Sequence, residues 1–342
     1  MKTKLDPKIS IIFPLFNGEK FLKRNLDSIR NLSNLEDIEL VIIDNNSNDS
    51  GIKVIESYNK YLNIKLIKNN KNMGFAKACN LGASRAKGLF IFITNQDVIF
   101  PRAFFQELMN IYKEYKKNKE IILSPAVVFE GDGIHYFGAK IHFLGFSYTP
   151  NVLQKLPKNK IVKPTQRITG CTLFMKKKLF CDIGGFDSIF FMYCEDTDIS
   201  LRLIRQGFRM YTSSNPYLIH QKHEWTFSDF QYYLLERNRF IAFAKNINNF
   251  KKLIPYFILS EVILLFHSII IKKFALRIRI YYELLSKFKL LKTLRHRSKK
   301  ECILIPYQKL SKTLDLNLLG ELKEIKALKI ILKFFNYLLK TI

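Results

Sequence analysis

Short apolar runs alternate with helix-length amphipathic segments from residue 9 to about residue 125, and this alternation restricts the fold more than any other feature. Four runs rich in β-branched residues are typical of buried strands, and they cover residues 9–13, 40–43, 64–67 and 89–94. The segments between them carry apolar residues at helical spacing, over residues 20–31, 51–61 and 75–87. The alternation predicts an α/β fold in which helices cover both faces of a Rossmann-like, mostly parallel sheet.

Polar side chains follow three of the four predicted strands. Asn17 comes after the first strand, Asp44 begins an Asn-rich run after the second, and Asn95 and Asp97 follow the fourth. Each segment alone is explained by turns and helix caps, because Asn and Asp favour both. Ligands of such sheets bind beyond the carboxyl ends of the strands. Three polar segments at one edge therefore indicate a site for a polar ligand.

The pattern loosens between about residues 130 and 168, where residues 136–148 are aromatic, contain glycine and predict a hairpin over the site. Helical spacing returns at 195–206, and the first turn of this predicted helix holds three carboxylates, among them Glu195 and Asp196. The helix dipole alone favours carboxylates there. It does not explain the acidic and aromatic run that comes directly before the helix.

Five segments occur in the order and spacing of a known family. They are SIIFPLFN at 10–17, VIIDNNS at 41–47, NMGFAKACNLG at 72–82, NQD at 95–97 and GGFDSIFFMYCEDTD at 184–198. With them, residues 8–248 resemble the inverting glycosyltransferases of family 2, which have the GT-A fold, and among these the rhamnosyltransferase-like members. The resemblance implies transfer of a sugar from a nucleotide diphosphate sugar, with rhamnose as the first candidate, to a lipid-linked or polysaccharide acceptor.

The resemblance also implies which residues bind the donor. Those that match the nucleotide-sugar pocket are Pro14, Asn17, Asp44, Asn72, Gly74, Asn80 and Asn95. Asp97 matches the metal-binding acid, and Asn95 replaces the other acid of that motif, which lowers the negative charge available to a cation. His220 matches a late histidine that binds the metal or the diphosphate, and His223 is the alternative. The implied cofactor is Mg²⁺ or Mn²⁺, which neutralises the leaving diphosphate.

Inversion at the anomeric carbon is a single displacement, in which the acceptor hydroxyl loses its proton as it attacks. A carboxylate within hydrogen-bond reach performs this step. By resemblance Asp196 is the base, and Glu195 is the fallback. A neighbouring acid raises the pKa of such a base toward a useful range.

The net charge of +27 is concentrated toward the C-terminus, because residues 251–342 hold 20 Lys and Arg against 6 Asp and Glu. We therefore divide the chain into a catalytic domain, 1–250, and a basic, apolar, helical region, 251–342. Residues 254–271 are apolar but interrupted by Pro255, Glu261 and His267, which favours an interfacial or re-entrant segment over a membrane span.

Residues 272–300 carry 11 Lys and Arg and one acid, with Phe274, Ile278, Tyr281, Leu285 and Phe288 at helical spacing. This pattern is typical of a basic helix that lies on anionic lipid. The alternative is a helix that packs on the catalytic domain with a solvated basic face.

Other function classes explain fewer of these features. A basic nucleic-acid-binding or membrane-binding protein without transferase activity accounts for the charge, but no nucleic-acid motif is present. The five cysteines lack C-x-x-C spacing, which favours reduced thiols. The N-terminal apolar run is broken by Pro14, so a secretory signal is not expected. We expect a cytoplasmic enzyme, peripheral or monotopic on the inner face of the cell membrane.

Overall fold

The computed structural model describes residues 7–293 except 132, 143, 222–227, 247–253, 288 and 291. In chain order the strands are β1 (Ile9–Leu15), β2 (Ile38–Asp44), β3 (Ile64–Lys68), β4 (Phe90–Thr94), β5 (Val98–Ile99), β6 (Ile121–Leu123), β7 (Ala126–Phe129), β8 (Ile134–Tyr136), β9 (Lys140–Ile141), β10 (Ser147–Tyr148), β11 (Val162–Pro164), β12 (Thr172–Lys176), β13 (Arg209–Ser213) and β14 (Tyr217–His220). The helices are α1 (Glu19–Arg30), α2 (Gly51–Ser57), α3 (Gly74–Arg85), α4 (Phe104–Tyr115), α5 (Lys177–Asp182), α6 (Glu195–Arg205), α7 (Asp229–Asn246), α8 (Ile254–Ile270) and α9 (Phe274–Ser286).

An eight-stranded sheet with the order β11-β13-β6-β12-β4-β1-β2-β3 forms the centre of the molecule. The strands β1 to β4 are parallel, as the sequence predicts. The chain moves from β1 to β2 and β3 on one side and then returns to β4 on the other. The loops after β1 and β4 therefore flank a crevice at the point where the strand order reverses, which is where such sheets bind ligands.

The other half of the sheet is mixed. β12 runs antiparallel to β4 and β6, and β13 runs parallel to β6. Residues 149–171, which lead into β12, contain no helix, and only parallel neighbours require a crossover helix between them. The hairpin predicted at 136–148 is present in part, because β9 and β10 pair antiparallel within it.

Two apolar layers cover the two faces of the sheet. Along β1 the side chains alternate, so that Ile11 and Phe13 join the layer under α1 and α4, and Ile12 joins the layer under α3 and α6. All three are fully buried, and complete burial of one such side chain contributes about 1.5–3 kcal/mol. This two-sided burial explains why the strands are continuously apolar in sequence.

A four-stranded sheet, with the order β5-β14-β7-β8, lies beyond the ends of the larger one. β14 pairs antiparallel with β5, and this register places His220 opposite Val98. The pairing therefore brings a histidine from late in the chain next to Asp97, the residue that precedes Val98.

The last described helices pack on the catalytic part through buried charges. Glu261 of α8 binds Arg239 of α7 at 2.6 Å and Arg277 of α9 at 3.0 Å. Arg277 is 1% exposed and also binds Glu236 of α7 at 2.8 Å. Within the described ranges, no helix is both long enough and apolar enough to cross a bilayer. Glu261, which interrupts the apolar pattern in the sequence, thus joins α8 to both α7 and α9.

The predicted amphipathic stripe of residues 272–300 is present only in part. Phe274, Ile278 and Leu285 are exposed, as a lipid-facing stripe requires. Tyr281 instead donates a hydrogen bond to Glu261 at 3.0 Å and belongs to the buried ion-pair cluster. Phe288, residues 294–342 and the predicted domain boundary at 250 lie outside the described residues.

Candidate active site

The loops after β1, β2 and β4 are joined into one surface by side-chain hydrogen bonds. The Asn17 side-chain oxygen accepts from the Asn48 backbone at 2.9 Å, and the Asp44 carboxylate accepts from the Ser47 backbone at 3.1 Å. Gln96 accepts from the Phe16 backbone at 3.0 Å and thereby ties the β4 loop to the β1 loop. The expected meeting of these segments at one edge is confirmed. Their side chains also serve as turn acceptors, as the turn interpretation predicts.

Gly74 lies where the start of α3 touches the loop before α6. Its φ is +80°, and a Cβ at this position would stand 2.3 Å from the Phe191 carbonyl oxygen, so only glycine fits. The next residue, Phe75, donates its backbone N–H to that oxygen at 2.7 Å. Asn72 accepts from the Gly74 backbone at 2.9 Å and fixes the turn. These contacts hold the predicted donor-binding segment against the loop that leads to the predicted base.

The side-chain nitrogen and oxygen of Asn80 both form hydrogen bonds with the backbone of Phe186. It donates to the Phe186 carbonyl at 2.7 Å and accepts from the Phe186 N–H at 2.9 Å. These bonds position the loop at 184–187, and direct binding of the nucleotide sugar by Asn80 stays a prediction.

Asp97 and His220 form the candidate metal end of the site. Their Oδ1 and Nε2 atoms are 3.5 Å apart, and the side chains are 13% and 11% exposed. The Cys171 thiol lies near Asp97, and burial, followed by the charge of Asp97, raises its pKa well above the usual range. Without a bound cation the Cys171 thiol is therefore protonated. His223, the alternative ligand, lies outside the described residues.

Two residues that the sequence analysis did not identify connect this end to the acids of α6. The His135 ring lies 5.2 Å from the His220 ring, centroid to centroid. Burial, then the positive charges of His220 and Arg167, lower the pKa of His135 to about 3, so its ring is neutral at physiological pH. Arg167 in turn contacts Asp196, with Nη1 and Oδ2 2.6 Å apart.

The sequence held only a weak signal for these two residues. Strand alternation places the His135 side chain on the opposite face of β8 from Ile134 and Tyr136. It does not reveal that the His220 ring of β14 lies near the His135 ring. Arg167 is a single charge in an uncharged segment, and its partner Asp196 comes 29 residues later.

The acids of α6 follow a tight left-handed turn. Tyr193 and Cys194 have φ of 69° and 65°, and the Asn238 side chain donates to the Met192 and Tyr193 carbonyls, each at 2.8 Å. Residues other than glycine adopt this conformation only when the surroundings enforce it. α7, which carries Asn238, thus sets the point at which α6 begins and the direction in which its first side chains project.

The two candidate bases have different surroundings. Glu195 is 6% exposed, and its Oε2 has no hydrogen-bond partner in the part of the chain that the structure describes. Burial, then the negative charge of Asp196, raise the pKa of Glu195 to about 8. Asp196 accepts from the Thr197 backbone at 2.7 Å and pairs with Arg167, so both of its oxygens are oriented.

Comparison with known proteins places this geometry in a family. The model of glycosyl transferase family 2 matches residues 10–184, and the model of the N-terminal domain of galactosyltransferase matches residues 151–224. The putative glycosyltransferase EpsE of Bacillus subtilis is 26% identical over 209 residues, which are 60% of this chain and 69% of EpsE. The poly(ribitol-phosphate) β-N-acetylglucosaminyltransferase TarP of Staphylococcus aureus is 34% identical over 130 residues, 37% of this chain and 38% of TarP.

A solved structure shares the fold. GalNAc-T7, determined with UDP, GalNAc and Mn²⁺, superposes with a TM-score of 0.59 at 16% identity, over 72% of this chain and 49% of GalNAc-T7. The chain thus spans less than half the length of TarP and of GalNAc-T7. Because the family model covers more than half of the 342 residues, this protein belongs to glycosyl transferase family 2.

Proposed function

We propose that this glycosyltransferase moves a sugar from a nucleotide diphosphate sugar to a hydroxyl of a lipid-linked or polysaccharide acceptor, by a single displacement that inverts the anomeric carbon. One observation carries the proposal: Asp97 and His220, at one end of the strand-edge site, are linked through His135 and Arg167 to Asp196 at the other. Binding of a diphosphate requires the metal ligands at the first end, and an attacking hydroxyl requires the base at the second end. The name of TarP supports a polymeric acceptor.

The donor end suits Mg²⁺ or Mn²⁺. Asp97 supplies a carboxylate oxygen and His220 an imidazole nitrogen, and Mn²⁺ accepts both ligand types. No group of three or more His, Cys, Asp or Glu side chains suited to a metal occurs among the described residues. Asp97 and His220 would therefore hold a cation here only together with oxygens of the bound donor and water. When bound, it supplies positive charge that stabilises the leaving diphosphate. The Mn²⁺ in GalNAc-T7 supports this assignment.

At the acceptor end, Asp196 removes the hydroxyl proton. Arg167 and the Thr197 backbone hold its carboxylate in place, and the side chain remains 14% exposed, which leaves it open to an acceptor. Glu195 has a pKa of about 8 and is therefore mostly protonated at neutral pH. The geometry favours Asp196 as the base, and it gives Glu195 the role of a buried neutral neighbour.

The donor is tested by thermal shift of the purified full chain with dTDP, UDP or GDP, each with Mn²⁺, Mg²⁺ or EDTA. The rhamnosyltransferase resemblance favours dTDP, whereas the GalNAc-T7 complex favours UDP. A ligand at 100 times its Kd stabilises a protein by about 2.7 kcal/mol, so we expect one nucleotide to raise the Tm by several degrees, and only with metal. If no nucleotide raises the Tm and the chain instead binds DNA or RNA in a salt-dependent manner, the nucleic-acid alternative replaces this proposal.

We further propose that α8 and α9 hold the enzyme on the anionic inner face of the cell membrane. Apolar side chains are exposed on both helices: Ile258, Leu259, Val262, Phe266, Ile269, Ile270, Phe274, Ile278, Tyr282 and Leu285. Exposed basic residues accompany them: Lys272, Arg279, Lys287 and Lys289. A contiguous apolar surface flanked by lysine and arginine is typical of proteins that lie on anionic lipid.

Vesicle flotation tests this attachment. We expect the full chain to float with phosphatidylglycerol vesicles but not with phosphatidylcholine vesicles. The double substitution Phe266→Ser and Ile270→Ser removes side chains that are 64% and 74% exposed and should abolish flotation. Leu89→Ser is the matched control, because Leu89 is 58% exposed on the catalytic part. Equal flotation of the double variant and the control would refute the attachment.

A further inference from the structure

A cavity lies apart from the residues of the proposed transfer site. Its volume is about 610 Å³, within the range of about 300–1,000 Å³ found for ligand sites. None of the residues assigned to donor binding or catalysis lines it. Its walls come from the segment before β9, from β11 and the residues after it, and from the end of α6 with the start of β13.

The charge of the cavity wall is entirely positive. Lys140, Lys163 and Arg209 line it, and no Asp or Glu of the described residues does. Lys119 adds a fourth cation close by, since its Nζ lies 4.2 Å from the ring centroid of Phe208, a wall residue. Charges of one sign in a concave surface attract ligands of the opposite sign. The wall is therefore suited to an anion.

Lys163 has no anionic partner among the described residues. The residue is half-buried, and its Nζ lies 3.8 Å from the ring centroid of Phe137. No carboxylate of the described residues pairs with it, and burial alone lowers its pKa. A half-buried ammonium group gains most from a bound anion, because a charge-assisted hydrogen bond is stronger where water is partly excluded.

The remaining wall is apolar and aromatic, with Phe137, Phe208 and Tyr211 among its residues. Carbon-rich faces of a bound molecule pack on such rings. A ligand that matches both features carries an anionic group on a larger body with exposed C–H surface. Phosphorylated or carboxylated saccharide and polyol units have this chemistry.

Consecutive residues of the chain connect the cavity to the acceptor end of the proposed site. Thr165 and Gln166 line the cavity, and the next residue, Arg167, contacts Asp196 at 2.6 Å. We propose that the cavity binds an anionic segment of the acceptor chain, a phosphate or carboxylate on a saccharide or polyol unit, while a hydroxyl of another unit reaches Asp196. The identity of the ligand as the acceptor rests on the proposed function.

Calorimetric titration of the full chain tests the cavity without any turnover. The probes are a ribitol phosphate oligomer, inorganic phosphate and neutral maltohexaose. We expect the oligomer to bind more tightly than phosphate and maltohexaose not to bind. Lys163→Met and Arg209→Gln should each weaken oligomer binding about tenfold, the effect of losing one hydrogen bond to a charged group. UDP binding should be unchanged in both variants.

Lys60→Met is the matched control, because Lys60 also lies over an aromatic ring, 4.8 Å from the Tyr61 centroid, but outside the cavity. It should bind the oligomer as the unmodified protein does. Displacement of the oligomer by UDP, equal binding of maltohexaose, or unchanged binding by both cavity variants would overturn the proposal. An oligomer that binds through Lys163 but accepts no sugar from any donor would instead count against the proposed transferase acceptor and leave the anion site in place.

Discussion

Replacing Asp196 with Asn should lower kcat by about 10²–10⁴-fold, the usual contribution of a general base, and leave nucleotide binding unchanged. The amide keeps the shape of the carboxylate but cannot accept the acceptor's proton. The measurement is the initial rate of sugar transfer at saturating donor, together with the Kd of the nucleotide. Asn leaves the charge of Arg167 unpaired, so the Tm of the variant must also be measured.

Asp198→Asn is a control on the same helix. Asp198 is fully buried and pairs with Arg202 at 2.9 Å and with Lys245 at 2.9 Å. Breaking a buried pair costs about 3–5 kcal/mol, so this variant should have a lower Tm but a nearly normal kcat while it remains folded. If Asp196→Asn turned over nearly normally and Glu195→Gln did not, Glu195 would be the base.

Replacing Asp97 with Asn should lower kcat/KM by about 100-fold, equivalent to about 2.7 kcal/mol of transition-state stabilisation. The substitution removes the one carboxylate of the candidate metal pair, and His220 alone is a weak site for Mg²⁺ or Mn²⁺. The Kd of the nucleotide in the presence of Mn²⁺ should rise as well.

EDTA provides the discriminating control for this prediction. Without a divalent cation, Asp97→Asn and the unmodified protein should bind nucleotide equally, because the carboxylate then has nothing to coordinate. Asp182→Asn, an exposed acid on α5 whose side chain is 56% accessible, controls for the loss of one negative charge. An Asp97 effect of the same size in EDTA would show that this residue does not act through a metal.

The parallel half of the fold was predictable because its signals are local. β1 to β4 are short apolar runs separated by single amphipathic helices, and three of the four lead into Asn or Asp residues. The mixed half was not predictable in this way. β6 has three residues, and β12 pairs with β4, which lies some 80 residues earlier in the chain. Long-range pairing of such short strands leaves no periodic pattern in the sequence.

The residues of the candidate site also differ in whether the sequence alone could identify them. Asp97 and Asp196 lie in motifs that the sequence displays, whereas His135 and Arg167 become functional candidates only through their contacts. Asn80 also lies in a family motif, but its two hydrogen bonds to the Phe186 backbone could not be read from that motif. The sequence shows the charge of Glu261, but it does not show that Glu261 pairs with Arg239 and Arg277, because no periodicity connects these residues.

The buried ion pairs of Glu261 and Arg277 have a consequence for the choice of acceptor. They fasten α8 and α9 to α7, and Asn238 of α7 fastens the turn before α6. An enzyme attached to a bilayer through α8 and α9 would therefore hold Asp196 at one height above the lipid headgroups. Such an enzyme would select acceptors by the length of the glycan. It would extend only those membrane-anchored glycans whose terminal hydroxyl lies at that height.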